Sequence, residues 1–188
     1  MERTAWHDEG VDDRALVDAV LAGDRDLFRV LVEREQVTVY RTCLRILGRP
    51  HDAEDVAQES FVMAYRSLGS YRGEGPLGGW LLRIVTRQAY RRLGQRRETA
   101  ELQPDLVLGA PSSDPLVVTL AGERQRAIRL AVAALSDPYR EVIALRFFGE
   151  MSLDEIAATT RRPLNTVKTH LRRGLERLRP IIGAERMA

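Results

Sequence analysis

Asn165, Thr166, Lys168, Thr169, Arg172 and Arg173 lie close together near the C-terminus, and each can bond to a base edge or a phosphate. Arginine can fork onto guanine, asparagine can pair with adenine, and lysine can hold guanine or phosphate. On a helix turning about 100° per residue, Asn165, Lys168, Thr169, Arg172 and Arg179 share one arc, with Arg173 at its edge. Val167, Leu171, Gly174, Leu175, Leu178 and Ile182 share the opposite arc, the side that must pack. Just upstream, Ser152 and Glu155 have the spacing of a capping box, and Leu153, Ile156 and Ala157 form one apolar face. Arg161-Arg162-Pro163 breaks that first helix, because the residue before proline is pushed out of the helical region. Asn165 or Thr166 is the expected cap of the second helix. A solvated basic face is the ordinary meaning of such a charge run. The capped partner helix and tight turn favour a helix-turn-helix whose second helix enters the major groove.

A second basic stretch, Arg83, Arg87, Arg91, Arg92, Arg96 and Arg97, holds no acid between residues 83 and 97. Residues 161–179 hold seven bases against Glu176, although the formal net charge of the chain is only +2. Two basic stretches on a balanced chain imply two contacts with a polyanion. Beside the first lies the loop Ser70–Gly79, SYRGEGPLGG. Its Gly73, Gly75 and Gly78 spell G-x-G-x-x-G, but the motif follows a helical pattern and contains Pro76, so it does not describe a dinucleotide site. Flexible backbone beside Tyr71, Arg72 and Trp80 suits an unpaired strand, whose bases can stack on aromatic and guanidinium groups. An ordinary glycine loop is the competing reading. Asp55, Gln58, Glu59 and Val62 form a third set, on the outer face of an acidic helix, where a solvated face and a basic protein partner are both admissible.

The elements that position these sets read as helices throughout. Asp12 caps a helix carrying Ala15, Leu16, Ala19 and Val20, which stops at Gly23. Asp24 caps a longer one with Leu27, Phe28, Leu31, Val32, Val39, Tyr40, Cys43, Leu44 and Leu47 inward, ended by Gly48. Asp52 opens a third, with Ala53, Val56, Ala57, Phe61, Ala64 and Leu68 inward, closed by Gly69. Trp80 begins a fourth, with Leu81, Ile84, Val85, Ala89 and Leu93 inward and Arg83, Arg87, Arg91 and Arg92 as candidate phosphate contacts. From Glu98 to Thr119, prolines, Gly109 and serines dissolve the pattern into a linker. A fifth helix runs to about Leu135, and Ser136-Asp137-Pro138 starts a sixth with Val142, Ile143, Leu145 and Phe148 inward. The expected fold is all-α: two small helical domains on a flexible tether, the second containing the helix-turn-helix.

Composition excludes several classes. No apolar run approaches the ~18 residues of a membrane helix, and the acidic start does not read as a signal peptide. The single Cys43 excludes an internal disulfide and, within an apolar stripe, reads as a buried thiol of a reducing cytoplasm. His7, His51 and His170 lack ligand spacing, no G-x-S-x-G is present, and Cys43 has no evident activating base. No catalytic residue, metal, cofactor or small-molecule substrate is therefore expected.

Asp52–Phe61 (DAEDVAQESF), Tyr71-Arg72-Gly73-Glu74 and Trp80–Ile84 (WLLRI) resemble region two of bacterial sigma factors. Leu135-Ser136, Tyr139–Val142, Ser152–Ala157 and Thr166-Val167-Lys168 resemble region four. With a short linker and no region three, the chain resembles an extracytoplasmic-function (ECF) sigma factor over about residues 12–97 and 115–182. The resemblance implies this layout: an N-terminus (1–10) read as disordered, region two (11–97), a linker (98–119) and region four (120–188). It implies that Asp55, Gln58, Glu59 and Val62 dock on the clamp-helix coiled coil of core RNA polymerase. Tyr71, Arg72, Trp80, Arg83 and Arg87 would take the −10 element as a single strand. Asn165, Thr166, Lys168, Thr169, Arg172 and Arg173 would read the −35 element as duplex. Promoter DNA, core polymerase and an anti-sigma factor are the implied partners, in the cytoplasm. The chain departs from the family pattern in three places: Arg87 and Arg91 stand where an asparagine and an aspartate are frequent, Leu77-Gly78-Gly79-Trp80 replaces Phe-x-x-Trp, and Arg161 occupies a usual glycine. An ordinary helix-turn-helix regulator would explain residues 136–182 but leave the acidic helix and the other basic helix without a role. An anti-sigma factor is disfavoured because His-x-x-x-Cys-x-x-Cys is absent.

Overall fold

The computed structural model describes residues 12–102 and 120–183, and every regular element among them is helical. The expected all-α class holds. The helices are α1 (Asp13–Leu21), α2 (Asp26–Leu47), α3 (Pro50–Ser67), α4 (Leu77–Leu102), α5 (Leu120–Ala134), α6 (Tyr139–Phe147), α7 (Leu153–Thr160) and α8 (Leu164–Gly183). A single 3₁₀ turn, Leu68–Ser70, follows α3. Residues 1–10 and most of the linker, 103–119, lie outside the described residues, while α4 continues to Leu102, beyond the point where the linker was expected to start.

Several helix starts differ from the local sequence signals, each for a visible reason. Asp12 does cap α1, its carboxylate accepting the Arg14 N–H at 3.2 Å. Asp24 does not cap α2, which begins at Asp26 without a side-chain cap. Its N–H instead bonds to the Ala19 carbonyl while Gly23, at φ +115°, bonds to Val20. That Schellman pattern closes α1, and the cap position of α2 falls one residue later, on Arg25. α3 starts at Pro50 instead of Asp52, since proline at the first helical position has no N–H to leave unpaired. α4 starts at Leu77, three residues before Trp80, with the Pro76 carbonyl accepting the Trp80 N–H at 3.1 Å. Gly78 and Gly79 are therefore helical. α8 starts at Leu164, with the Pro163 carbonyl accepting from Thr166 and Val167, so neither Asn165 nor Thr166 caps it.

α2, α3 and α4 pack into a bundle around Val39, Cys43, Ile46, Val56, Ala57, Leu81, Val85 and Ala89. α1 closes one end, setting Leu16, Val17 and Val20 against Leu31, Leu68 and Leu77. Val17, not Ala15, completes its inward face. The second half gathers α6, α7 and α8 around Val142, Leu145, Met151, Ile156 and Val167. Each fully buried Leu, Val or Ile contributes about 1.5–3 kcal/mol by leaving water, so these stripes dominate the fold.

The two halves are packed against each other. Leu82 of α4 is buried among the α6–α8 residues, and Ala131, Val132, Leu135, Ile143 and Leu178 join the core of the first bundle. Leu82 was not among the residues expected inward, because its burial comes from the other half of the chain. Leu175, on the expected packing arc of α8, stays 39% exposed. Cys43 is buried as expected, and burial pushes its thiol up to about 12.

Candidate polymerase and promoter interfaces

The helix-turn-helix is built as its sequence requires. The Ser152 hydroxyl accepts the Glu155 N–H at 3.2 Å, and the Glu155 carboxylate accepts the Ser152 N–H at 2.7 Å, completing the capping box of α7. Arg161 closes α7 in the left-handed region, at φ 56° and ψ 40°, where a glycine would sit without strain. Its N–H bonds to α7 carbonyls and its guanidinium pairs with Glu74. Val167, Gly174 and Leu178 seat α8, and Gly174 lies so close that a Cβ there would come within 2.9 Å of Ile143. The opposite face points to solvent: Asn165, Lys168, Arg172 and Arg173 are exposed, and Thr166 and Thr169 are half-buried. The predicted set therefore shares one open, basic surface. Arg172 reaches Glu176 at 2.8 Å along the same helix. Arg177 is elsewhere, stacked 4.0 Å over the Tyr139 ring, and His170 meets that ring edge-on.

The aromatic and arginine set lies along the start of α4. Tyr71 and Trp80 pack edge-to-face at 6.0 Å, and the Tyr71 hydroxyl donates to the Gly75 carbonyl at 2.6 Å, tying the loop across itself. Burial, then Asp13 and Asp12, push the Tyr71 hydroxyl up to about 12, so it remains a neutral donor. Arg72 is exposed. Trp80, Arg83 and Arg87 line a cleft of about 810 Å³ together with Tyr90, Arg91, Arg140, Glu141 and Arg162. Sequence reasoning missed Glu141, whose carboxylate bridges Arg83 and Arg162 at 2.6 Å each. An acid in the first turn of α6 reads locally as a helix-dipole residue, and nothing nearby announces its partner on α4.

Thr159 and Met151 press on the same loop: a Cβ on Gly79 would lie 2.7 Å from the Thr159 hydroxyl and 2.8 Å from the Met151 methyl. A side chain at Gly79 would therefore have to displace Thr159 and Met151 of the second half; nothing here explains Leu77 in place of phenylalanine.

Asp55, Gln58, Glu59 and Val62 share the outer face of α3, with Val62 50% exposed and Met63 and Tyr65 exposed nearby. Glu59 pairs with Arg92 at 3.0 Å, and Arg92 also approaches Asp52 and Asp55 at 3.9 Å. Arg96 binds Asp52 at 2.8 Å. Arg92, among the candidate phosphate contacts by sequence, thus lies against the acidic face of α3 and neutralises part of it.

Residues 31–99 match the Sigma-70 region 2 family and residues 125–178 match Sigma-70, region 4. The ECF RNA polymerase sigma factor SigW of Bacillus subtilis is 33% identical over 175 residues, 87% of this chain and 92% of that protein. This chain is an extracytoplasmic-function sigma factor of the sigma-70 family. The ECF RNA polymerase sigma-E factor of Haemophilus influenzae is 32% identical over 178 residues, 89% of this chain and 94% of that one. A solved structure of CnrH in complex with the cytosolic domain of CnrY shares 25% identity at a TM-score of 0.59, covering 92% of this chain and 98% of that chain.

As a sigma factor the protein directs core RNA polymerase to promoters, through −35 duplex recognition and −10 strand capture. Region 2 spans most of α2 through α4, which an ordinary helix-turn-helix regulator would not carry. Among the described residues no helix is long and apolar enough to cross a membrane.

Proposed function

We propose that the three surfaces divide the work of this sigma factor. The outer face of α3, through Asp55, Gln58, Glu59 and Val62, docks on the clamp-helix coiled coil of core polymerase. Tyr71, Arg72 and Trp80 receive an unstacked base of the −10 non-template strand while Arg83 and Arg87 hold its backbone. The exposed face of α8, through Asn165, Thr166, Lys168, Thr169, Arg172 and Arg173, reads the −35 duplex. What supports this reading most is that α8 bares one basic, amide-bearing face while Arg83 and Arg87 follow the Tyr71–Trp80 aromatic pair along the start of α4. One surface suits a groove and the other a strand.

The chain itself performs no catalysis in this reading, and it acts in the cytoplasm, where polymerase works. CnrH is solved with the cytosolic domain of CnrY, and a sigma factor RpoE from Bartonella quintana with the anti-sigma factor NepR. An anti-sigma factor is accordingly proposed here as well. The test is site-specific cross-linking in the reconstituted holoenzyme. A photo-reactive group at Arg172 should label −35 duplex and one at Arg72 should label the −10 non-template strand. The reverse assignment, or labelling of neither, would overturn the division.

A further inference from the structure

Asp13 stands at the start of α1, outside the stretch matched to region 2, and serves two other elements at once. Its Oδ1 accepts from Arg34 Nη2 at 2.8 Å, and its Oδ2 accepts the backbone N–H of Leu77 at 2.7 Å. Leu77 is the first residue of α4, where N–H groups have no intrahelical partner and negative charge is favoured. Pro76 before it has no side chain that could cap. A carboxylate from α1 therefore takes the place of a local cap.

The same turn of α4 is held from below. Gly78 sits on Glu35, so closely that a Cβ there would lie 2.9 Å from Oε1. Glu35 is 4% exposed and accepts from Arg34 Nε at 3.0 Å, so Arg34 joins the two carboxylates. Leu16, Val17 and Val20 of α1 pack in the cluster against which Tyr71 and Trp80 rest. Both aromatic rings and the turn between them thus stand on α1 and the Asp13–Arg34–Glu35 chain.

We propose that Asp13 is a positioning residue for −10 strand capture, anchoring the first turn of α4 so that Tyr71 and Trp80 are already posed for an unstacked base. Without the anchor, the loop must be ordered when the strand binds, and that cost comes out of affinity. Asp13 touches no DNA in this account. The inference rests on the assignment of the Tyr71–Trp80 loop to the −10 strand.

The test uses holoenzyme assembled with wild type, Asp13→Ala, Asp13→Asn, Tyr71→Ala or Trp80→Ala. Three affinities are measured: for core polymerase, for a duplex carrying the −35 element, and for a single-stranded oligonucleotide carrying the −10 non-template sequence. Asp13→Ala should weaken −10 strand binding about tenfold, as expected for losing a charge-assisted hydrogen bond, with the other two affinities unchanged. Asp13→Asn, which keeps an oxygen toward Leu77, should recover part of the loss. If Tyr71→Ala and Trp80→Ala lose the strand but Asp13→Ala does not, the positioning role is refuted and the loop assignment stands. If none of the three loses it, the loop assignment fails and takes the proposal with it. Equal loss of core and −35 binding by Asp13→Ala would make Asp13 a general stability residue and also refute the proposal.

Discussion

Glu35 is the one acidic side chain in the buried set of the described residues, and burial raises its carboxyl above the ordinary range while Arg34 opposes the rise. A raised folded value means folding favours the protonated form. The stability contributed by protonated Glu35 is therefore full below its ordinary value of 4.5 and is lost as pH rises through the raised value. Glu35→Gln should gain on the wild type as pH rises from that range toward neutrality, read from urea midpoints at several pH values. A difference that does not change with pH would assign the penalty elsewhere. Cys43 supplies a second check. With its thiol pushed up to about 12 and its side chain buried, it should react with a thiol reagent only after unfolding. Labelling of the folded protein at the rate of a free thiol would contradict the packing of α2.

α7 and α8 are the elements whose sequence spoke most plainly, because capping and period-3.6 patterning act within a few residues. Ser152→Ala removes half of the capping box and should cost about 1 kcal/mol of stability. Arg172→Ala should weaken binding to the −35 duplex by ~1–3 kcal/mol without changing affinity for core polymerase. Unchanged promoter binding by that holoenzyme would mean that another face of α8 meets the duplex. On α3, Asp55→Ala with Glu59→Ala should weaken core binding and leave the helical content unchanged by circular dichroism. The all-α class and most of the inward stripes were legible, since such patterning repeats along one helix. What was hidden depends on a second element. The start of α4 needs Asp13 from α1, Arg92 turns to the acids of α3, and Leu82 is buried only by the other half. Pairings of this kind carry no local period, and caps supplied from afar look like missing caps.

At the scale of the molecule, the described halves pack together, and the two proposed DNA surfaces differ. The proposed reading face of α8 is open, whereas Glu74, Gly75 and Gly79 are contacted by Arg161, Thr159 and Met151, and Arg83 is held by Glu141. A strand cannot take the place of those contacts until they separate. The apolar contact at Leu82 outweighs the partly exposed ion pairs, which individually contribute little. Leu82→Asp should therefore loosen the free protein, seen as a larger radius of gyration in solution scattering with helical content retained. An unchanged radius would show that Leu82 does not hold the halves together. The central claim, that these surfaces serve promoter-directed transcription, is tested most directly by run-off transcription. Purified core polymerase would be given the promoter upstream of the protein's own gene, with and without the protein. Transcripts of one defined length that appear only when the protein is added are the expected result. Sequence-specific duplex binding with no association with core polymerase would contradict it.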